Sequence, residues 1–354
     1  MQTEFVYETL PNRVVFGEGK LETLGEEVER LGGKRALVLS TPQQEDWARS
    51  ICDSLKDRGA GVFSQATMHT PVSVTELAME KVRETGADVV IGLGGGSTIG
   101  LGKAIAVRTG LPQIAVPTTY AGSEMTPILG QTENGIKTTM KKPVIQPRTV
   151  IYDVNLTLTL PVGLSATSGL NAMAHAVEAL YAQDRNPVIS LIAEDGIRAF
   201  AQSLPGVIQN PKDKAARAQA QYGAWLCGIC LGSAGMALHH KLCHVLGGSF
   251  DMPHAETHAV MLPHTAAYNE PAAQEAMERA RRALGTEHVG LGLWELAQRV
   301  QAPMSLKELG LPESAIEKAT EIALKNPYWN PRPLEADGLR ALLRRAWAGE
   351  PPQA

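Results

Sequence analysis

Cysteine is scarce in this 354-residue chain, with Cys52, Cys227, Cys230 and Cys243 making up the whole set. So few thiols exclude a disulfide scaffold, and a reduced, cytoplasmic compartment is expected. Positive charge is not in excess either: 33 Lys and Arg face 37 Asp and Glu, a net charge of −4 with no long basic run. That argues against nucleic acid as a partner. No apolar stretch approaches the ~20 residues a membrane helix needs, so no membrane span is expected. The opening MQTEFVYETLPNR holds Glu4 and lacks an apolar core, which predicts no secretory signal. The Cys227-Gly-Ile-Cys230 pair has redox or zinc spacing. It lies in the apolar run AWLCGICLGSAGMAL without a second such pair, so buried free thiols are expected. There are no internal repeats and no low-complexity segment.

What is present falls into two halves with different rhythm. The first alternates short apolar runs with helical patterns: RALVLS (35–40), the run 88–93, LPQIAVPTT (111–119) and RTVIYD (148–153) read as strands, and Gly110 stops a helix. Strand–helix alternation predicts a parallel sheet covered by helices. After TLTLP (157–161) the strand pattern ends. Long helical periodicity follows, broken at Pro187, Pro205, Pro211, Pro253 and Pro263, with one last amphipathic helix in the tail. The boundary is placed near Leu156: residues 1–156 as a Rossmann-like nucleotide-binding α/β domain and 157–354 as an all-helical domain.

Two turns in the first half carry chemistry. Gly92, Gly94, Gly95 and Gly96 run into Ser97 and Thr98 between a strand and a helix. Glycines there let the backbone approach a phosphate, which a helix N-terminus attracts. One glycine would serve a tight turn; three consecutive ones with Ser and Thr exceed that need. The usual dinucleotide fingerprint is not matched, since Ile99 stands where its third glycine belongs. The next turn, PTTYAGSEMT (117–126), offers Thr118, Thr119 and Ser123 at a strand's carboxyl end, where open α/β sheets bind ligands. Together the two turns predict a nucleotide crevice.

The second half concentrates histidine. Four of the chain's nine, His239, His240, His244 and His254, fall within 16 positions, which suits metal binding or proton movement.

The GGGS turn, the PTT-x-x-GSE turn, the TLTLP segment and these histidine-rich helices resemble the iron-containing alcohol dehydrogenase family, across nearly the whole chain. The resemblance implies an N-terminal nucleotide-binding domain, an all-helical C-terminal domain and an active site in the cleft between them. The family's metal ligands are one Asp and three His. Here they match Asn171 and His175 in NAMAH, His240 in HHKLCH and His254 in MPH. Asn171 keeps the helical spacing to His175 but not the charge, and a neutral amide is a poor ligand for a divalent cation.

TTYAGSEMTPILG, SGLNAMAHAVEALYA, HHKLCHVLGGSFDMPHAETHAV and NPRP narrow the resemblance to the maleylacetate reductase branch. It implies NADH- or NADPH-dependent reduction of a dicarboxylate enone, maleylacetate, to 3-oxoadipate in aromatic-compound breakdown. It also implies no metal and a homodimer. The expected catalytic residues are His175, His240, His254, His244 and Asn171. The expected cofactor residues are Ser40, Gly94, Gly95, Gly96, Ser97, Thr98, Thr118, Thr119 and Ser123. In the family an Asp after the first buried strand often selects NAD; here Ser40, Thr41, Pro42, Gln43 and Gln44 follow it, and a site tolerant of both cofactors is expected. His239 and Lys241 are expected to point elsewhere, solvated or at an edge. His258 and His264 are expected in the core or an interface, and His69 and His288 outside any site. Two alternatives stand beside this reading: a metal-dependent alcohol or polyol dehydrogenase with His₃ and water on the metal, and a nucleotide-binding protein without catalysis.

Overall fold

A computed structural model of the chain describes residues 4–133, 136–325 and 328–353. It divides into two compact units, one spanning Thr9–Leu160 and the other Pro161–Ala354 together with the described residues before Thr9.

The first unit is built on a six-stranded parallel sheet. Its strands are β1 (Arg13–Gly17), β2 (Ala36–Leu39), β3 (Gly59–Phe63), β4 (Val89–Gly94), β5 (Gln113–Pro117) and, after a hairpin, β8 (Thr149–Asp153), in the order β1-β8-β5-β4-β2-β3. The hairpin is an antiparallel pair, β6 (Ile128–Glu133) and β7 (Ile136–Lys141). Helices cover both faces, as parallel sheets require. Val38, Ile91 and Val116 point to one face, against Leu24 and Val28 of α1 (Leu24–Arg30) and Ala48 and Ile51 of α2 (Glu45–Ser54). Leu37, Leu39 and Val90 point to the other. They meet Ala78 and Val82 of α3 (Val72–Thr85) and Leu101 and Ile105 of α4 (Gly96–Thr109). The four strands expected from apolar runs are β2, β4, β5 and β8.

The regular elements described in the second unit are all helices: α5 (Val162–Tyr181), α6 (Pro187–Gln209), α7 (Lys214–Ser233), α8 (Leu238–Phe250), α9 (His254–Asn269), α10 (Gln274–Leu284), α11 (Val289–Arg299), α12 (Ala315–Lys325) and α13 (Ala336–Ala348). Every residue of α5 from Ser165 to Tyr181 is buried, so this helix is the hub, packed by α6, α7 and α9. Asn186 accepts the amide of Ile189 at 3.0 Å and Pro187 follows at the first helical position, which fixes the start of α6. Asp213 caps α7 in the same way.

Two of the expected proline breaks are corrected: Pro205 lies inside α6 and Pro263 inside α9. Each removes one helical hydrogen bond, a local cost that the packing of a largely buried helix offsets. Cys227 and Cys230 are fully buried free thiols in α7. No helix among the described residues is long and apolar enough to cross a membrane.

Candidate active site

In the first unit, the turns after β2, β4 and β5 converge at the carboxyl ends of three adjacent strands. Gly94 ends β4 with φ +143°, a conformation only glycine adopts comfortably. A Cβ there would meet Thr98 Oγ1 at 2.7 Å and Gln44 Oε1 at 2.8 Å. Thr119 packs over Gly95, where a Cβ would lie 3.0 Å from its methyl. Gly96 begins α4, is exposed, and a Cβ built on it would meet nothing within 4 Å. The backbone N–H groups of a helix's first turn lack helical partners, so this opening suits an anion.

The amide of Thr118 donates to Gly94 O at 3.1 Å, and Gln44 Nε2 donates to Thr118 Oγ1 at 3.1 Å. Gln44 thus ties the β2 turn to the β5 turn, which Thr118 ties to β4, a role sequence reasoning did not give it. Thr98 is buried with an unpartnered hydroxyl. Ser123 is held by the buried Lys103, whose ammonium also donates to Thr126 Oγ1 at 2.8 Å and Ile128 O at 2.9 Å. Ser40 is sealed in the sheet: its amide and carbonyl bond Phe63 and Ala66, and its hydroxyl is buried and unpartnered. Thr41, half-buried, is the more accessible hydroxyl at this end of β2.

In the second unit, α5, α8 and α9 assemble the histidines. Asn171 and His175 sit on α5, buried, with Asn171 Oδ1 and His175 Nδ1 lacking any protein partner. The His175 ring lies 5.1 Å from that of His240 on α8. His240 stands 6.1 Å from His244, one turn on, and 5.2 Å from His258 of α9. His254 is 4.4 Å from His258. His244 and His254 are exposed, whereas His175 and His240 are buried. Burial, reinforced by the neighbouring His240 and His254, holds His175 well below the ordinary imidazole pKa.

Two expectations are corrected here. His239 is not solvated: it is fully buried, 5.3 Å from His240, because α9 packs over that face of α8. His258 is a member of the cluster and not only a core residue. Their tautomers follow from the hydrogen bonds. Thr265 donates its hydroxyl to Met261 O at 3.0 Å, so it accepts from His239 Nδ1 at 3.1 Å. His239 Nε2 must then accept from His258 Nδ1 at 2.9 Å, leaving His258 Nε2 a bare, unpartnered lone pair. Lys241 lies 5.3 Å over the ring of Tyr328.

The larger omission is Glu178, a fully buried carboxylate on α5. Its Oε2 accepts from His240 Nδ1 at 2.7 Å and from the amide of Ala237 at 2.9 Å; its Oε1 accepts from the amide of His239 at 2.8 Å. The signal was available: Asn171, His175 and Glu178 follow at helical spacing on one face. The NPRP segment also finds its place. Asn330 and Asn269 exchange amide hydrogen bonds at 2.8 and 3.0 Å, and Asn330 Oδ1 accepts the amide of Leu238 at 3.4 Å, tying the start of α8 to α9.

With this geometry established, the chain can be set beside known proteins. Its residues 11–154 match the iron-containing alcohol dehydrogenase model, and residues 165–347 match the model of that family's C-terminal part. The chain belongs to the iron-containing alcohol dehydrogenase family. A maleylacetate reductase from Rhizobium sp. (strain MTP-10005) is 58% identical over 349 residues, 99% of each chain. One from Burkholderia cepacia is 53% identical, covering 98% of this chain and 99% of the relative. The crystal structure of maleylacetate reductase from Agrobacterium tumefaciens superposes with a TM-score of 0.97 at 57% identity, covering 99% of this chain and all of that one. The fold is that of the family, and the chain is an oxidoreductase.

The family name raises the question of iron. Asn171, His175, His240 and His254 match a four-ligand pattern in sequence, and the Nε2 of His240 has no protein partner. The donors are one amide and three imidazoles, with no anion to balance a dication. Glu178 lies behind His240 and spends its oxygens on three N–H groups. The set therefore does not fit the family's metal in charge. A second metal-like grouping, His239, Cys243 and His258, has its ligand atoms within 4.8 Å of one another. His239 Nε2 and His258 Nδ1 are hydrogen-bonded to each other, and burial holds the Cys243 thiol well above its ordinary pKa, against the thiolate a metal needs.

Proposed function

We propose that the chain reduces the conjugated C=C of maleylacetate, giving 3-oxoadipate, with NADH or NADPH and without a metal. The observation that carries this reading is the amide of Asn171 in the anionic ligand's place, beside an otherwise complete histidine set. The names of relatives at 53–58% identity support the substrate.

A bound reduced nicotinamide supplies the hydride, and the α4 turn with Gly94, Gly95, Gly96, Ser97 and Thr98 grips the cofactor's phosphates. Hydride arriving at the alkene carbon β to the ketone breaks the C=C π bond and forms an enolate. The enolate collapses to the ketone as its α-carbon takes a proton. Conjugation spreads the developing charge, so imidazole donors can replace a Lewis acid. The histidine cluster stabilises the enolate oxygen and moves the proton; Asn171 adds no negative charge of its own beside a dianionic substrate. A homodimer in the cytoplasm is part of the same proposal, as the branch resemblance implies.

The test is NADH oxidation with maleylacetate and with simple aldehydes, each in strong chelator. Turnover of maleylacetate alone, undiminished by chelator, is expected. A second reading, metal-dependent alcohol dehydrogenation, draws on the carboxylate behind His240, an arrangement common around metal-bound imidazoles. Activity lost in chelator and restored by iron or zinc would establish it instead.

A further inference from the structure

We infer that Glu178 is a positioning residue for catalysis: it fixes the ring orientation and the resting tautomer of His240, so that Nε2 is the ring nitrogen offered to the substrate. The inference rests on the reading above only in taking His240 to face the substrate.

Three observations carry it. Glu178 is fully buried, and among its donors the shortest contact, at 2.7 Å, is His240 Nδ1. A carboxylate that also accepts the amides of Ala237 and His239 is an acceptor only, so the proton of that contact sits on His240 Nδ1. The opposite nitrogen, Nε2, is buried without a protein partner, although buried nitrogens are rarely left so. An imidazole free in water prefers neither this ring setting nor a single tautomer; here the partner decides both. The same carboxylate receives the amides of Ala237, the N-cap of α8, and of His239, which the methyl side chain of Ala237 cannot do. One residue on α5 therefore sets where α8 begins and which way its first site histidine turns. The logic is that of the carboxylate in a hydrolase triad, built from different elements.

The unmodified protein gives the first test. With ¹⁵N-histidine labelling and a His240→Gln variant to assign the signal, long-range ¹H–¹⁵N correlation spectra in mildly alkaline buffer report the His240 tautomer. Protonated Nδ1 and bare Nε2 are expected; a protonated Nε2 with bare Nδ1 overturns the inference. This readout needs no turnover, so it stands or falls separately from the proposed substrate. The second test is Glu178→Gln, which keeps the volume but sets an amide N–H against a backbone or ring donor. With maleylacetate, kcat is expected to fall roughly 10²-fold, while KM for NADH changes less than about threefold. The His240 signal is expected to shift toward the other tautomer, and Glu178→Asp to recover part of kcat. A Glu178→Gln enzyme with kcat near wild type, or with kcat lost but the His240 tautomer unchanged, overturns the positioning role.

Discussion

Gly96→Ala separates what the glycine turn does for the fold from what it does for a ligand. Gly96 is the first residue of α4, its φ lies outside the left-handed range, and a Cβ there meets no protein atom within 4 Å. The fold therefore has no use for glycine at this position. Alanine is the better helix former by up to about 1 kcal/mol, so the variant should be as stable as the wild type or slightly more so. The open space has another claimant. If a cofactor phosphate sits on the first turn of α4, a methyl group pushes it back by on the order of 1 Å. That costs one or two charge-assisted hydrogen bonds of about 1.5–3 kcal/mol each. The dissociation constant for NADH should then rise by roughly tenfold for one bond at the low end to about 10⁴-fold for two at the high end. Fluorescence titration of NADH and thermal denaturation of the free protein measure the two effects. Gly94→Ala is the control: its φ of +143° and contacts of 2.7 and 2.8 Å demand glycine for the fold itself, so its thermal midpoint should drop. A Gly96→Ala protein that binds NADH within about threefold of wild type would refute the assignment of the phosphate to this turn.

Asn171→Asp should raise affinity for zinc or iron, read by elemental analysis, and slow maleylacetate turnover by placing charge beside a dianion; unchanged metal content and turnover would remove the argument from this residue. His240→Ala and His254→Ala should each lower turnover by roughly 10²–10⁴ with NADH affinity little changed, and near-normal turnover in both would make the cluster structural. NADH and NADPH should be used with kcat/KM values within about tenfold, and Thr41→Asp should cut NADPH use sharply while sparing NADH; a wild type that rejects NADPH would place the choice elsewhere. Burial, aided by Arg345, lowers the pKa of His264 from 6.5 to about 4. The unfolded chain therefore takes up this proton first, and stability is lost as pH falls through that window, by about 3 kcal/mol at its lower end. Both His264 nitrogens are unpartnered, so His264→Leu should gain on the wild type in thermal midpoint as pH falls from about 6.5 to about 4; a constant difference would contradict this.

The parts legible from sequence were those whose cause is local. β2, β4, β5 and β8 are buried on both faces, so each is a short apolar run and can be read as one. β1 and β3 are half-buried edge strands, and β3, GAGVF, has glycine where a strand signal needs bulk. The β6–β7 pair, ILGQTE and IKTTMK, is rich in Thr and Lys and has no apolar run to mark it as strand. Pro205 and Pro263 misled because the cost of a proline is local while its compensation is tertiary. In the site, the spacing of Asn171 to His175 and of His240 to His244 is a property of single helices. Whether His239 faces solvent depends on α9, and no feature of α8 announces that.

Glu178 shows what that limit means for function. Judged along the helix, Asn171 marks a lost charge, and the loss invites the conclusion that the site has become neutral. The structure keeps a carboxylate two turns further along the same face, at a different distance from the chemistry. A carboxylate at position 171 would touch whatever His175 and His240 touch, and would repel an anionic substrate directly. A carboxylate at 178 acts on the far side of the His240 ring, where its oxygens are consumed by N–H groups and its field reaches the substrate only through the imidazole. Negative charge held only in the layer behind the histidine controls its ring while offering no anchor for a cation. That distinction predicts different signatures for two isosteric exchanges on one helix. Asn171→Asp should add metal binding and impair turnover, whereas Glu178→Gln should leave metal content unchanged and impair turnover through the His240 tautomer. Elemental analysis and the histidine spectra, run on both variants, tell the two mechanisms apart even where the loss of rate is the same.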